Sequence, residues 1–193
     1  MRTILAGLTA VLFVFLLLPT ASNAEQLPFL LHGNLGFGKM LEDGAPDGGI
    51  GLGAGIIYPL QDSQIAIGGD LGWQMLGSEE GSYGYGVTAD LSLSTIPITG
   101  QVYYFFPPGE TVGFYADAGL GFYSLRSSID ISGVAGGSSS DSETEFGING
   151  GAGARFGDPD AKITFGVDLK YHVVMTEGES TDIITVYGRI FFH

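Results

Sequence analysis

From Ile65 to Met75 the chain alternates strictly. Ile65, Ile67, Leu71, Trp73 and Met75 take odd positions, with Gly69 among them, and Ala66, Gly68, Asp70, Gly72 and Gln74 take the even ones. Successive side chains of a strand point to opposite faces, so this stretch has one oily face and one small, polar face. The pattern recurs along the chain. Phe29, Leu31, Leu35 and Phe37 oppose His32, Asn34, Gly36 and Gly38, and Ile50, Leu52, Ala54, Ile56 and Tyr58 oppose glycines. Phe114, Ala116, Ala118, Leu120 and Phe122 oppose Tyr115, Asp117, Gly119, Gly121 and Tyr123. Phe146, Ile148, Ala152, Ala154 and Phe156 oppose Glu145, Gly147, Asn149, Gly151, Gly153 and Arg155. Ile163 to Val173 and Ile184 to Phe192 repeat it, with Asp168, Lys170, His172 and Arg189 on the polar faces.

Between Gly84 and Phe106 the phase changes. Val87, Ala89, Leu91 and Leu93 are the apolar set before Thr95-Ile96-Pro97, and Ile98, Val102, Tyr104 and Phe106 are the apolar set after it. A slip of one residue beside a proline is either a β-bulge within one long strand or a tight turn between two strands, and the bulge is the preferred expectation. That reading predicts eight strands, an even number that returns both chain ends to one side. Three connections have short-turn chemistry: Leu60-Gln61-Asp62-Ser63, Pro107-Pro108-Gly109-Glu110 and Gly157-Asp158-Pro159-Asp160. The other four, Leu41 to Gly48, Gly77 to Ser82, Ser132 to Ser142 and Glu177 to Thr181, read as longer polar loops. They carry Glu42, Asp43, Asp47, Glu79, Glu80, Asp141, Glu177 and Glu179.

The first 24 residues stand apart. Arg2 precedes an almost wholly apolar run from Ile4 to Leu18, Pro19 ends it, and Ser22-Asn23-Ala24 offers a small-residue cleavage site. This predicts a secretory signal peptide cut after Ala24, with residues 25–193 forming one domain. Residues 25–193 hold all 21 acidic and six of the seven basic residues, a net charge of −15 (six minus 21). So acidic a chain is not expected to bind nucleic acid. There is no cysteine, hence no disulfide and no thiolate metal site. Yet mean hydropathy is +0.28, and after Leu18 no apolar run approaches the length of a membrane helix.

These facts together predict an all-β fold, an eight-stranded antiparallel up-and-down transmembrane β-barrel in the outer membrane. An eight-stranded lumen is only wide enough to be filled by side chains, and the oily faces hold too much Phe, Leu and Ile to fit. The small, polar faces fit. A lumen charge network is therefore expected from Asp70, Asp117, Glu145, Arg155, Asp168, Lys170 and Arg189. Amphipathic rings gather at membrane interfaces. Tyr58, Tyr104, Phe106, Phe114, Phe156 and Phe192 would form a girdle at the short-turn end, and Trp73, Tyr83, Phe122 and Tyr171 one at the long-loop end.

Two segments carry a family resemblance. Ile96-Pro97-Ile98-Thr99-Gly100-Gln101-Val102-Tyr103-Tyr104-Phe105 is followed after a turn by Phe114-Tyr115-Ala116-Asp117-Ala118-Gly119-Leu120-Gly121. The pair resembles the proline–threonine–YYF strand and the glycine-repeat strand of the small outer-membrane barrel superfamily, which includes the OmpA membrane domain, OmpX and OmpW. The resemblance covers essentially all of residues 25–193. It implies insertion by the barrel-assembly machinery and a surround of outer-membrane lipids and lipopolysaccharide in a Gram-negative envelope. It also implies an aromatic last residue, whereas here His193 follows Phe191-Phe192. No peptidoglycan-binding domain is expected after the barrel.

Motifs for chemistry are sparse. His32, His172 and His193 show no metal-binding spacing, and no Gly-x-Ser-x-Gly elbow is present. His172 with Asp168 is the one pairing that could contribute to a hydrolytic site. No cofactor and no metal is expected. The leading expectation is a non-enzymatic barrel with a structural or surface-interaction role and acidic extracellular loops. The alternatives are a narrow passage for small or hydrophobic solutes, as resemblance to OmpW implies, and a lipid-modifying outer-membrane enzyme.

Overall fold

A computed structural model describes residues 29–42, 44–82, 87–107, 112–133, 136–158, 161–176 and 178–193. The signal segment before Glu25, Asp43, Tyr83, Pro108 to Glu110, Pro159, Asp160 and Glu177 lie outside the described residues. Eight strands follow in chain order: β1 (Leu30–Met40), β2 (Gly49–Pro59), β3 (Ile65–Ser82), β4 (Thr88–Phe105), β5 (Val112–Ser132), β6 (Gly137–Phe156), β7 (Ile163–Thr176) and β8 (Glu179–Phe192). Each pairs antiparallel with its sequence neighbours, and β8 pairs with β1 to close the barrel. Closure leaves no free edge within the barrel wall, which a membrane-spanning sheet requires.

The alternation sorts side chains as volume demands. Leu35, Leu71, Ile98, Phe114, Leu120, Phe122 and Phe165 point outward and are more than half exposed. Gln74, Gln101, Asp117, Asn149, Asp168, Lys170 and Arg189 point into the lumen and are buried. The hairpin between β2 and β3 turns tightly: Leu60 N donates to Ile65 O at 3.0 Å, and Asp62 adopts φ 54°. Aspartate tolerates that left-handed conformation better than most residues.

Two expectations are corrected. The phase change at Pro97 is not a bulge, because β4 runs beside β5 without a register shift from Thr88↔Ser132 to Phe105↔Tyr115. Odd positions of β4 face the barrel axis throughout. What changes is chemistry: below Thr95 the inward row is Thr99, Gln101 and Tyr103, and above it the row is Leu93, Leu91 and Ala89. β5 changes in the same way, with Leu125, Ile129 and Ile131 inward and Ser124, Arg126, Ser128 and Asp130 outward. This inversion is what a strand requires on passing from lipid to water, where the oily face must turn inward. The register shift falls instead in β3, between Met75 and Gly77.

The second correction concerns the connections. Gly77 to Ser82 belongs to β3, most of Ser132 to Ser142 belongs to β6, and Glu179 to Thr181 belongs to β8. Among the described residues, Leu41 to Gly48 is the one expected long loop that lies wholly between strands. β3, β4, β5 and β6, of 18, 18, 21 and 20 residues, continue well past their neighbours as an outer sheet. Ser, Thr, Asp and Glu at high density look like loop in composition, but here they occupy both faces of strands that stand in water.

Candidate functional site

The lumen is built in layers. At mid-height lies an ionic cluster. Asp70 Oδ1 lies 2.9 Å from His32 Nε2, and Asp70 Oδ2 lies 3.2 Å from Lys170 Nζ and 3.8 Å from Arg189 Nη2. Lys170 Nζ also reaches Asp117 Oδ2 at 3.3 Å, and Arg189 Nη2 reaches Asp168 Oδ2 at 2.6 Å. Tyr103 donates its hydroxyl to Asp70, and Tyr115 donates to Asp168 at 3.3 Å. Arg189 is 2 % exposed, Asp168 2 % and Lys170 3 %. Charges so buried are tolerable only when paired, and removing one partner leaves the other uncompensated.

Glycine makes this pairing possible. His32, Gly55 and Asp70 form one row across β1, β2 and β3. A Cβ on Gly55 would sit 2.5 Å from His32 Nε2 and clash with the Asp70 carboxylate. Asp117, Gly151 and Lys170 form a second row across β5, β6 and β7, where a Cβ would sit 2.8 Å from Lys170 Cγ and 3.0 Å from Asp117 Oδ1. In each row the middle strand gives up its side chain so that the flanking charges can meet.

Apolar layers close both ends. Toward the short turns, Leu30, Ile57, Ala66, Tyr103, Tyr115 and Phe191 form a buried cluster, with Ile57, Ala66 and Tyr103 fully inaccessible. Toward the outer sheet, Leu76, Tyr123, Val174 and Ile183 form another, flanked by Met40, Leu93 and Leu125. Beneath this outer layer lies a hydrogen-bonded polar group. His172 Nδ1 is 3.0 Å from the Tyr123 hydroxyl and its Nε2 is 3.1 Å from Thr185 Oγ1, while Tyr187 donates to Gln74 at 3.1 Å. Both ring nitrogens of His172 are thus engaged away from Asp168, which pairs with Arg189.

Five of the seven lumen charges read from sequence meet: Asp70, Asp117, Asp168, Lys170 and Arg189. Glu145 and Arg155 share the inward rows but stand outside the cluster. Glu145 pairs in register with Tyr123, level with the outer apolar layer, and Arg155 pairs with Gly113 at the short-turn end. Neither forms an ion pair among the described residues. Sharing a face is not sharing a height. Sequence reasoning missed His32 as a cluster member, and it missed the two apolar layers. A signal for the layers was present: Leu30, Ile57, Leu76 and Phe191 are apolar residues on otherwise polar faces.

The expected girdle residues face outward, Tyr83 lying outside the described residues. Tyr58, Tyr104, Phe106, Phe114 and Phe156 ring the short-turn end, and Tyr104 and Phe106 meet edge to face at 5.1 Å. Phe122 packs edge to face on Phe146 at 6.1 Å toward the other end, and Tyr171 is exposed nearby. Trp73 and Phe192 are partly exposed.

Residues 8–190 match the family model described as outer membrane protein beta-barrel domain. The chain belongs to that family. Membership supports an outer-membrane location for the barrel, and the oily outward faces are then its lipid-facing surface. Comparison with curated protein sequences gives no match. Among solved structures, Neisserial surface protein A is similar, with TM-score 0.59 and 14 % identity over 86 % of this chain and 97 % of that one. Ail of Yersinia pestis, solved in complex with the heparin analogue sucrose octasulfate, is similar with TM-score 0.52 and 16 % identity, covering 86 % of this chain and all of that one. Both show the same fold.

Proposed function

We propose that the protein is a non-enzymatic outer-membrane barrel that works at the cell surface through its outer sheet. The observation that supports this is the lumen. It holds its ionic cluster between two apolar layers whose central side chains are inaccessible to solvent. A path for ions or solutes would have to cross both layers, and the described strands pair all round into a closed barrel. Function is therefore sought where strands leave the barrel. Lipids and lipopolysaccharide surround the apolar belt, and the barrel-assembly machinery inserts it. At the last turn, His193 N donates to Lys162 O at 3.0 Å, continuing the β8–β7 ladder past Phe192.

A polysulfated ligand such as the one bound by Ail is disfavoured here. The described part of the outer sheet carries Glu79, Glu80, Asp90, Asp130, Asp141 and Glu143 against Arg126 alone. The test is single-channel conductance of the refolded mature protein in a planar bilayer, with insertion checked by the heat-dependent gel shift of folded barrels. A silent bilayer is expected. Discrete, reproducible steps would overturn the surface reading in favour of a passage. Acyl release from lipopolysaccharide, lost in His172→Ala, would overturn it in favour of an enzyme.

A further inference from the structure

The face of the outer sheet that continues the lumen has an ordered chemistry. Its rows can be read from the register. Thr95, Leu125 and Glu143 form the first, and Gly77, Leu93, Ser127 and Asp141 the second. Glu79, Leu91, Ile129 and Ser139 form the third, and Gly81, Ala89, Ile131 and Gly137 the fourth. The two middle strands thus carry an apolar stripe of Leu125, Leu93, Leu91, Ile129 and Ile131. The flanking strands carry carboxylates, Glu79 on β3 and Asp141 and Glu143 on β6. Ile129 and Ile131 are 44 % and 45 % exposed.

Nothing among the described residues covers this face. The opposite wall ends lower, at Met40, Gly49, Thr176 and Glu179, and the β6–β7 ladder stops at Phe146↔Met175. At the foot of the stripe a cavity of about 230 Å³ opens between Met40, Leu76, Leu93, Leu125, Asp141 and Glu143, and Arg126 also reaches its wall. Its floor is the outer apolar layer, so an occupant rests on the barrel and does not pass through it.

We propose that this face docks a cationic amphipathic peptide helix. The apolar stripe of the helix lies along β4 and β5, and its lysines or arginines reach Glu79 on one flank and Asp141 and Glu143 on the other. This rests on the surface reading above and names the partner's chemistry. The dimensions agree. Four strands span about 14 Å from the first to the last, and Leu125 to Ile131 rises about 20 Å. A helix with its side chains is about 10–12 Å across, and about 13 residues span the stripe. Docking of an amphipathic helix by its apolar face is an established mode of peptide recognition. The net charge of −15 on residues 25–193 draws cations in from a distance. Other occupants fit less well: a second copy would set carboxylates against carboxylates, and an anionic headgroup would meet them too.

The test uses the full mature barrel in nanodiscs of zwitterionic phosphatidylcholine. The probe is a fluorescent leucine–lysine peptide of about 14 residues that forms an amphipathic helix. Saturable binding above that to empty nanodiscs is expected, with affinity lowered about tenfold or more in Asp141→Lys/Glu143→Lys and in Ile129→Asn/Ile131→Asn. Asp90→Lys/Asp130→Lys, on the opposite face, should shift affinity by less than about twofold. A leucine–glutamate peptide of the same length should not bind, a result that needs no variant to fold. No binding beyond empty nanodiscs, binding of both peptides alike, or an equal loss from the opposite-face pair would each overturn the proposal. Absence of binding by a barrel that is silent in the bilayer overturns only this assignment. Conduction overturns the surface reading itself.

Discussion

At the scale of single residues, the lumen turns on which charges share a height. Arg189 forms an ion pair with Asp168 at 2.6 Å and faces Asp70 at 3.8 Å inside the barrel. Arg189→Ala strands the buried Asp168 carboxylate, while Asp70 keeps Lys170 and His32, and should cost about 3–5 kcal/mol in denaturant unfolding of the refolded protein. Arg155→Ala removes no ion pair and should stay within about 0.5 kcal/mol. Equal effects of the two would refute the layered description. The glycine rows make a second demand. Gly151→Ala must push Lys170 from Asp117 and is expected to cost about 1–3 kcal/mol, as overpacking does. The same substitution at Gly113, where a Cβ meets nothing within 4 Å, should be near neutral. A sequence cannot announce these rows, because a glycine set between charges on its two neighbouring strands is visible only once register is known.

At the scale of elements, each strand has two environments along its length. In β5, Phe114 to Phe122 points oil outward, and from Ser124 onward the outward row is polar. Leu120→Arg should therefore cost about 2–4 kcal/mol for unfolding from a lipid bilayer, and Ser128→Arg should cost close to nothing. If both were tolerated equally, the boundary between lipid and water would lie elsewhere. The outer apolar layer can be probed in the same way. Leu76 is 1 % exposed and packs with Tyr123, Val174 and Ile183, so Leu76→Ala should destabilise by about 2–5 kcal/mol. The eight strands were legible from alternation once the phase change at Pro97 was placed inside one strand, as an even count requires. The length of β3 to β6 was not, because polar composition signals contact with water and does not separate loop from solvated strand.

At the scale of the whole molecule, the barrel is a closed cylinder with an ionic middle and apolar ends, and four of its strands rise from one side of the rim. Low dielectric strengthens the ion pairs, and the surface reading proposed above requires the apolar layers to bar ions as well as water. A structure of this kind supports a rigid surface display better than transport. Replacing Ile131 to Gly137 by a short turn that joins β5 to β6 sooner should leave the heat-dependent gel shift intact, since neither apolar layer includes those residues. Loss of the shift would show that the outer sheet is needed to fold the barrel.

The sequence by itself determined the period, the number of strands, the face turned to lipid and the acidic outer end. Each follows from a rule that acts within one strand: side chains alternate, and oil must leave water. Tertiary structure alone decided which charges meet, where the apolar layers lie and how far the strands rise. Those depend on the register between strands, and register brings together residues such as Asp70 and Lys170, a hundred positions apart, whose distance along the chain says nothing about their height in the barrel.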